Sequence, residues 1–443
     1  MNKVGLYTLG CKVSIYETEA IAESFAEAGF EVCSSTDVCD VYVINTCTVT
    51  AESDAKSRKY IRRAIRKNPD AVVIVIGCYS QRAPLEVAKI EGVSAVLGTA
   101  DKMRCVEIAS RLLDERNSKF EIRNSKLIPE VEVSSLEGTQ FEPMCVKNAP
   151  RTRAYVKIED GCECKCTYCA ISAARGPVRS KRPEDVIAEI EGLYGNGTLE
   201  VVLTGIETGS YGADFEEKYD LSDLLCELDR RGSCKRVRLG SMAPELLGES
   251  FICRVANLGI LVPHFHISMQ SGSDNVLRGM KRRYNRKKAL ENVARIRSLM
   301  PDVMLTADLM VGFPGESEED FMDTVNFVRE ARLLDAHVFA YSRREGTPAA
   351  KYENQIPEDI KKRRSAYLIE TVAKVRDEVL SEVVASGKPL SCIFETGKNG
   401  IYTAHSDSYI EVRAECDFNP KGQLHLVKPL RVENGIIYGE IIK

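Results

Sequence analysis

Nowhere in its 443 residues does the sequence hold an apolar run long enough to cross a membrane. The first residues, Met1-Asn2-Lys3-Val4-Gly5-Leu6-Tyr7, lack the apolar core of an export signal, so a cytoplasmic chain without membrane contact is expected. Net charge is small: 61 Lys and Arg stand against 65 Asp and Glu, leaving −4. A polyanionic partner therefore has to meet a local basic face, because the average field does not attract it. A second Cys-x2-Cys pair to match Cys166 and Cys169 is also missing, which leaves a structural zinc site incomplete.

What is present is cysteine, sixteen of them, in a chain of 44% hydrophobic and 28% charged residues. That is an ordinary globular composition, and the length exceeds one core, so two or three domains are expected. Without an export signal, this much cysteine points to a reducing compartment and metal ligation rather than disulfides. The densest stretch is Asp160-Gly161-Cys162-Glu163-Cys164-Lys165-Cys166-Thr167-Tyr168-Cys169. Cys162, Cys166 and Cys169 have the spacing that wraps a loop around an iron–sulfur cluster, giving three thiolates to four irons and leaving one iron open to a small chelating molecule. The same offsets also describe one face of a helix, but Glu163, Lys165 and Thr167 interrupt the run and Gly161 opens it like a loop.

This loop resembles the cluster motif of the radical S-adenosylmethionine enzymes, and with its flanks it resembles their methylthiotransferase branch. It departs from the branch at Lys165, usually aromatic, at Ser172, usually proline, and at the extra Cys164. Which sulfurs bind is thus open between Cys164 and its neighbours.

Residues 1–115 alternate strands and helices, the signature of a parallel sheet with crossover helices. Strands are expected at Val4 to Leu9, Val41 to Ile44, Val72 to Ile76 and Val93 to Leu97, with Ser14 and Glu17 as a capping box opening the first helix. Cys11, Cys47 and Cys78 each follow one of the first three strands by about two residues. In an open parallel sheet those ends share one edge, where ligands bind, so the three can converge on a second cluster. Each alone would also suit a buried core thiol, as expected for Cys33, Cys39 and Cys105. The surrounding segments, Thr8-Leu9-Gly10-Cys11-Lys12-Val13, Asn45-Thr46-Cys47-Thr48-Val49-Thr50 and Gly77-Cys78-Tyr79-Ser80-Gln81, look like the methylthiotransferase N-terminal domain. That resemblance implies an auxiliary cluster on these three cysteines.

Residues 116–150 lose periodicity and read as a linker, with Arg-Asn-Ser-Lys at 116–119 repeated at 123–126 and a strand near Ile128 to Val133. A second βα series fills 151–385, with strands at Tyr155 to Ile158, Val201 to Thr204, Val237 to Leu239, His264 to Met269, Met304 to Met310 and His337 to Tyr341. Six units fall short of a closed eight-unit barrel, so an open, partial (βα)6 barrel with a trailing helix is expected, its site at the carboxyl ends of the strands. Residues 386–443 read as short alternating strands, a small antiparallel β-barrel similar to the RNA-binding TRAM module.

By the same resemblance, Tyr168, Gly205, Gln270, Ser271, Asp308 and Gly312 face S-adenosylmethionine, although ordinary turn chemistry accounts for such glycines and Tyr168 also suits a plain wall of the site. His264 and His266 are expected in the core or at the surface, with at most one of them turned into the barrel. The family installs methylthio groups, and Lys56-Ser57-Arg58 and Phe339 to Pro348 look most like its subgroup acting on carbon 2 of N6-threonylcarbamoyladenosine at tRNA position 37. The implied cofactors are two 4Fe-4S clusters and S-adenosylmethionine. The implied partners are the tRNA anticodon stem-loop and an electron donor such as a flavodoxin or ferredoxin. Basic clusters at Lys56 to Lys67, Lys281 to Lys288 and Lys361 to Arg364 suit RNA, although such clusters are more often solvated faces than binding sites. Isopentenyladenosine in tRNA, a ribosomal-protein aspartate, or a cluster-bearing RNA-binding protein are the competing readings.

Overall fold

Val41–Thr46 and Val72–Gly77 are buried along their whole length, as strands must be when helices cover both faces of a sheet. In the computed structural model, which describes residues 1–118 and 128–442, these are the central strands of a six-stranded parallel sheet. Its order is Glu31–Cys33, Lys3–Thr8, Val41–Thr46, Val72–Gly77, Ala95–Leu97 and Glu130–Glu132. Alternate residues feed two cores. Ile74 and Ile76 pack with Ile21, Phe25 and Ile108 on one face, while Val73 and Val75 pack with Ile44 and Ile61 on the other. Glu130–Glu132 pairs in parallel with Ala95–Leu97, and Arg111 and Arg104 hold its two glutamates, so part of the aperiodic linker stretch is an edge strand. The second Arg-Asn-Ser-Lys copy, at 123–126, lies outside the described residues.

The first helix corrects the capping-box expectation. It spans Lys12–Glu27 with Cys11 at its N-cap and no side-chain cap, so Ser14 lies inside it and the Glu17 side chain is buried in a tertiary ion network.

The central strands are Arg153–Lys157, Glu200–Thr204, Arg236–Leu239 continued by Ser241–Met242, His264–Gln270, Met304–Val311 and Asp335–Ala340. All pair in parallel, in sequence order. The third strand breaks at Gly240, and an isolated bridge from Val237 to Leu261 links the two half-sheets. Among the described residues no pairing joins the first strand to the last, so the barrel stays open. The Lys12–Glu27 helix packs beside Arg153–Lys157, with the Tyr16 hydroxyl donating to the Met144 carbonyl oxygen at 2.8 Å.

Helix Glu358–Ser386 ends at left-handed Gly387 and leads into a closed barrel of Leu390–Lys398, Ile401–Ser406, Glu411–Glu415, Leu424–Glu433 and Ile436–Ile441. Four seams are antiparallel and one, between Glu411–Glu415 and Ile436–Ile441, is parallel. Tyr409 locks this barrel to the central one, stacking on His264 at 4.7 Å with the Arg238 guanidinium 5.1 Å from its ring centre. No helix among the described residues is long and apolar enough to cross a membrane.

Candidate functional site

Cys11, Cys47 and Cys78 stand just past the carboxyl ends of three neighbouring strands, whose register pairs Thr8 with Asn45 and Thr46 with Gly77. Gly10 has φ 130°, and a Cβ added there would sit 3.2 Å from the Cβ of Cys47 and 3.4 Å from its sulfur. Gly77 has φ 99°, and an added Cβ would lie 2.5 Å from Asn45 Oδ1. Glycine at both positions lets the backbones close up beneath the sulfurs. The three thiols lie within electrostatic reach of one another. Burial pushes Cys78 up to about 12, Arg175 opposes this, and charge on Cys11 or Cys47 adds to the rise.

Cys162, Cys166 and Cys169 lie in the loop after the ribbon strand Glu159–Asp160. Gly161 at φ 92° passes so close to Pro177 that an added Cβ would overlap its carbonyl, and Lys165 is left-handed at φ 49°. The loop is pinned from three directions. Cys162 N–H donates to the Gly176 carbonyl at 3.0 Å, Thr167 N–H to the Met280 carbonyl at 3.1 Å, and Ala349 N–H to the Thr167 carbonyl at 2.9 Å. Two donors reach its sulfurs: Ile171 N–H lies 3.4 Å from Cys169 Sγ, and Arg282 Nη1 lies 3.3 Å from Cys166 Sγ. Cys164 faces Cys162, and sharing a proton pulls Cys164 down to about 6 while raising Cys162.

The donor chemistry suits iron–sulfur clusters: soft thiolates in threes, held at glycine-shaped loops and reached by N–H groups. No three His, Cys, Asp or Glu side chains among the described residues sit close enough to share a single metal ion. A four-iron cube is larger than one ion and spreads its thiolates further apart.

Between the triplets runs a buried ion network that the sequence did not reveal. Arg175, fully buried, donates from Nε to Cys78 Sγ at 3.1 Å, and from Nη1 to Glu17 at 2.5 Å and to Asp160 at 3.2 Å. Lys157 reaches Glu17 at 2.9 Å and Asp160 at 2.6 Å, and Lys102 bridges Glu17 and Glu142. Glu17, Lys102 and Cys78 come from the first sheet's unit, whereas Lys157, Asp160 and Arg175 come from the barrel. The signal missed was proximity across 158 positions, which no local spacing encodes.

The six residues expected at S-adenosylmethionine have different surroundings. Tyr168 packs on an apolar cluster that includes Val276, Met310, Phe313 and Tyr341. Gly205 backs onto Glu159, whose carboxylate accepts from Ile206 N–H at 2.8 Å and Glu207 N–H at 3.0 Å. Burial raises Glu159 far above the usual carboxylate range and Glu207 to about 8, which favours the neutral acid at both. Gln270, left-handed at φ 65°, is buried with its Oε1 unpartnered among the described residues. Ser271 is taken up by Thr324 and Ser273, and Gly312 by Glu316 and Lys361.

Asp308 lies 3.2 Å from His266 Nε2 and 3.4 Å from His337 Nδ1, neighbours that hold it well below the usual range. His264 and His266 both bond Thr306 Oγ1, at 3.0 and 2.8 Å. Residues two apart on a strand share a face, so both point into the barrel, which corrects the expectation of at most one.

The profile of the Radical SAM superfamily matches residues 156–328, and that described as Uncharacterized protein family UPF0004 matches 3–98. The chain is 39% identical over 447 aligned positions to the threonylcarbamoyladenosine tRNA methylthiotransferase MtaB of Bacillus subtilis (strain 168), covering 99% of this chain and 96% of that protein. Its counterpart in Aquifex aeolicus (strain VF5) is 36% identical, covering 93% and 97%. The tRNA-2-methylthio-N(6)-dimethylallyladenosine synthase of Bacillus cereus (strain B4264) is 37% identical, covering 82% and 70%. Among solved structures, the radical S-adenosylmethionine methyltransferase TsrM from Kitasatospora setae superposes with a TM-score of 0.58 at 17% identity, covering 90% and 79%. At that identity the likeness speaks for the fold alone.

Proposed function

The chain belongs to the radical S-adenosylmethionine methylthiotransferases, the family of the threonylcarbamoyladenosine tRNA enzymes that it matches from end to end, and we propose that it carries out their reaction. Its substrate is tRNA, and the group installed is a methylthio at carbon 2 of N6-threonylcarbamoyladenosine, at position 37 in the anticodon stem-loop. Cys162, Cys166 and Cys169 would hold one 4Fe-4S cluster, and Cys11, Cys47 and Cys78 the other. When bound, the first supplies the electron that splits S-adenosylmethionine and the second supplies sulfur, chemistry that belongs to the cofactors.

The observation that supports this reading is a contact between the two units: Arg175, on the helix following the Cys162–Cys169 loop, touches Cys78 of the other unit. Sulfur transfer needs the two sites to open on one substrate, and a contact between the two units supports that reading.

The chain's own residues would shape the S-adenosylmethionine site. Gln270 offers an open, buried acceptor, and Asp308 offers a charged one steadied by two imidazoles. Tyr168 forms an apolar wall, while Gly205, Ser271 and Gly312 keep the strand ends tight. Burial of Glu159 and Glu207 disfavours further negative charge beside the thiolates of the loop. Electrons would come from a small donor protein such as a flavodoxin or ferredoxin. RNA recognition would draw on the basic helix Ala51–Lys67 and on the TRAM-like closed barrel at the C-terminus.

Nucleoside mass spectrometry of tRNA from cells with and without this protein tests the reading. Loss of the methylthiolated threonylcarbamoyl nucleoside, with its unthiolated precursor rising, is the expected result. Loss of the isopentenyl analogue instead would assign the chain to the other tRNA substrate.

A further inference from the structure

Each cysteine triplet has one arginine at one of its sulfurs, but the two arginines differ in origin. Arg282 reaches Cys166 from within the same barrel, and its other partners are neutral, the Ser268 carbonyl and the Tyr284 hydroxyl. Arg175 reaches out of the barrel to Cys78 and sits amid charge. Among the described residues, Lys102, Lys157, Arg175 and Arg179 form ion pairs there with Glu17, Glu142 and Asp160. Burial raises neighbouring Glu159 far above the usual carboxylate range and so disfavours a fourth negative charge. Counted over these seven side chains, four cations against three acids, the network is one positive charge in excess, and six of the seven are buried. Beyond the carboxylates, the Nε of Arg175 donates to the sulfur of Cys78 at 3.1 Å. An N–H donor and an unbalanced cation at a cluster sulfur favour the more negative, reduced state.

We propose that Arg175 is a positioning residue that holds the Cys11, Cys47 and Cys78 triplet against the barrel and raises the electron affinity of the cluster those cysteines carry. The inference rests on the reading that this triplet binds a cluster. It goes further in assigning that cluster's redox tuning to a residue of the other unit. Arg175 would thereby make the two clusters electrically unequal and fix the sulfur-bearing one where the barrel opens.

The test is a redox titration of the fully loaded holoenzyme, followed by electron paramagnetic resonance, for wild type, Arg175→Lys and Arg175→Met. Arg175→Met removes donor and charge, and the cluster on Cys11, Cys47 and Cys78 should become at least tenfold harder to reduce, about 59 mV for one electron. Arg175→Lys keeps the charge but loses the planar fork, and should shift it less. The cluster on Cys162, Cys166 and Cys169 should not move, since Arg282 is untouched. A purely structural role would lower stability and cluster loading without moving the potential. If Arg175→Met does not fold, wild type and Arg175→Lys grown on guanidino-¹⁵N arginine decide the matter. In reduced wild type the signal of the cluster on Cys11, Cys47 and Cys78 should show a nitrogen coupling that Arg175→Lys removes, while any coupling from Arg282 stays on the other cluster's signal. Unmoved potentials in loaded variants, or a nitrogen coupling that persists in Arg175→Lys on the signal of the cluster on Cys11, Cys47 and Cys78, overturn the proposal. A wild-type protein without a second cluster overturns the reading beneath it.

Discussion

The Nε of Arg175 stands 3.1 Å from the Sγ of Cys78, though 97 positions separate them in the chain. Arg175 lies on the helix Ile171–Arg175 behind one cysteine loop, and Cys78 opens the helix Cys78–Arg82 at a strand end of the other unit. This contact joins the strand end that carries Cys78 to the helix behind the other cysteine loop.

The two triplets should divide the reaction. Cys162→Ala should abolish cleavage of S-adenosylmethionine and reduce iron from about eight to about four per chain. Cys47→Ala should lose the same amount of iron, yet keep cleavage and stop sulfur insertion. Iron and sulfide assays beside product analysis check both, and sulfur transfer by Cys47→Ala would contradict the division.

Glu17 is the acid common to Arg175, Lys157 and Lys102, and it is fully buried. Arginine and the two lysines hold its carboxyl well below the usual range against the cost of burial. Glu17→Gln would leave buried cations uncompensated, a loss of about 3–5 kcal/mol by the usual cost of breaking a buried ion pair. Thermal unfolding should register a clear drop in midpoint, whereas an exposed pair such as Lys374 with Glu370 should be nearly silent when broken.

Stability should fall in mild acid because of His264. Burial first, and Arg238 next, hold its imidazole well below the usual value, while the unfolded chain binds a proton near pH 6.5. The unfolded state therefore binds more protons as pH drops through about 6.5, and folding weakens over that window. His264→Phe keeps an aromatic ring against Tyr409 and removes the titration. Melting curves at pH 7.5 and 5.5 should show a smaller acid penalty for this variant than for wild type.

RNA should track the helix Ala51–Lys67. Its N-terminal end is anchored near the site, with Ala51 N–H donating to Ser342 Oγ at 3.1 Å and Arg344 pairing with Asp54 at 2.6 Å. Farther out, Arg58, Arg62, Arg66 and Lys89 line a groove of about 470 Å³. Replacing Arg62, Arg63 and Arg66 by alanine should weaken tRNA binding across sequences and flatten its salt dependence by about 0.7–0.9 for each phosphate no longer neutralised. An unchanged slope would place the RNA elsewhere.

Much of this was legible in the sequence because it is local. The all-buried strands Val41–Thr46 and Val72–Gly77, the cysteine spacing at 162, 166 and 169, and the six barrel strands all leave periodic or fixed-offset traces. What was not legible is tertiary. Glu17 looks like a capping residue until Arg175 and Lys157 claim it, Glu130–Glu132 pairs at the sheet edge with its glutamates held by Arg111 and Arg104, and Tyr409 meets His264 from a separate barrel.

The central claim is best tested by incubating purified, cluster-loaded protein and S-adenosylmethionine with anticodon stem-loop RNA that carries either threonylcarbamoyladenosine or isopentenyladenosine, and weighing the nucleosides. The account predicts that one methylthio group replaces one hydrogen on the threonylcarbamoyl substrate alone. Cleavage of S-adenosylmethionine with no mass gain on that RNA, or gain only on the isopentenyl one, would contradict it.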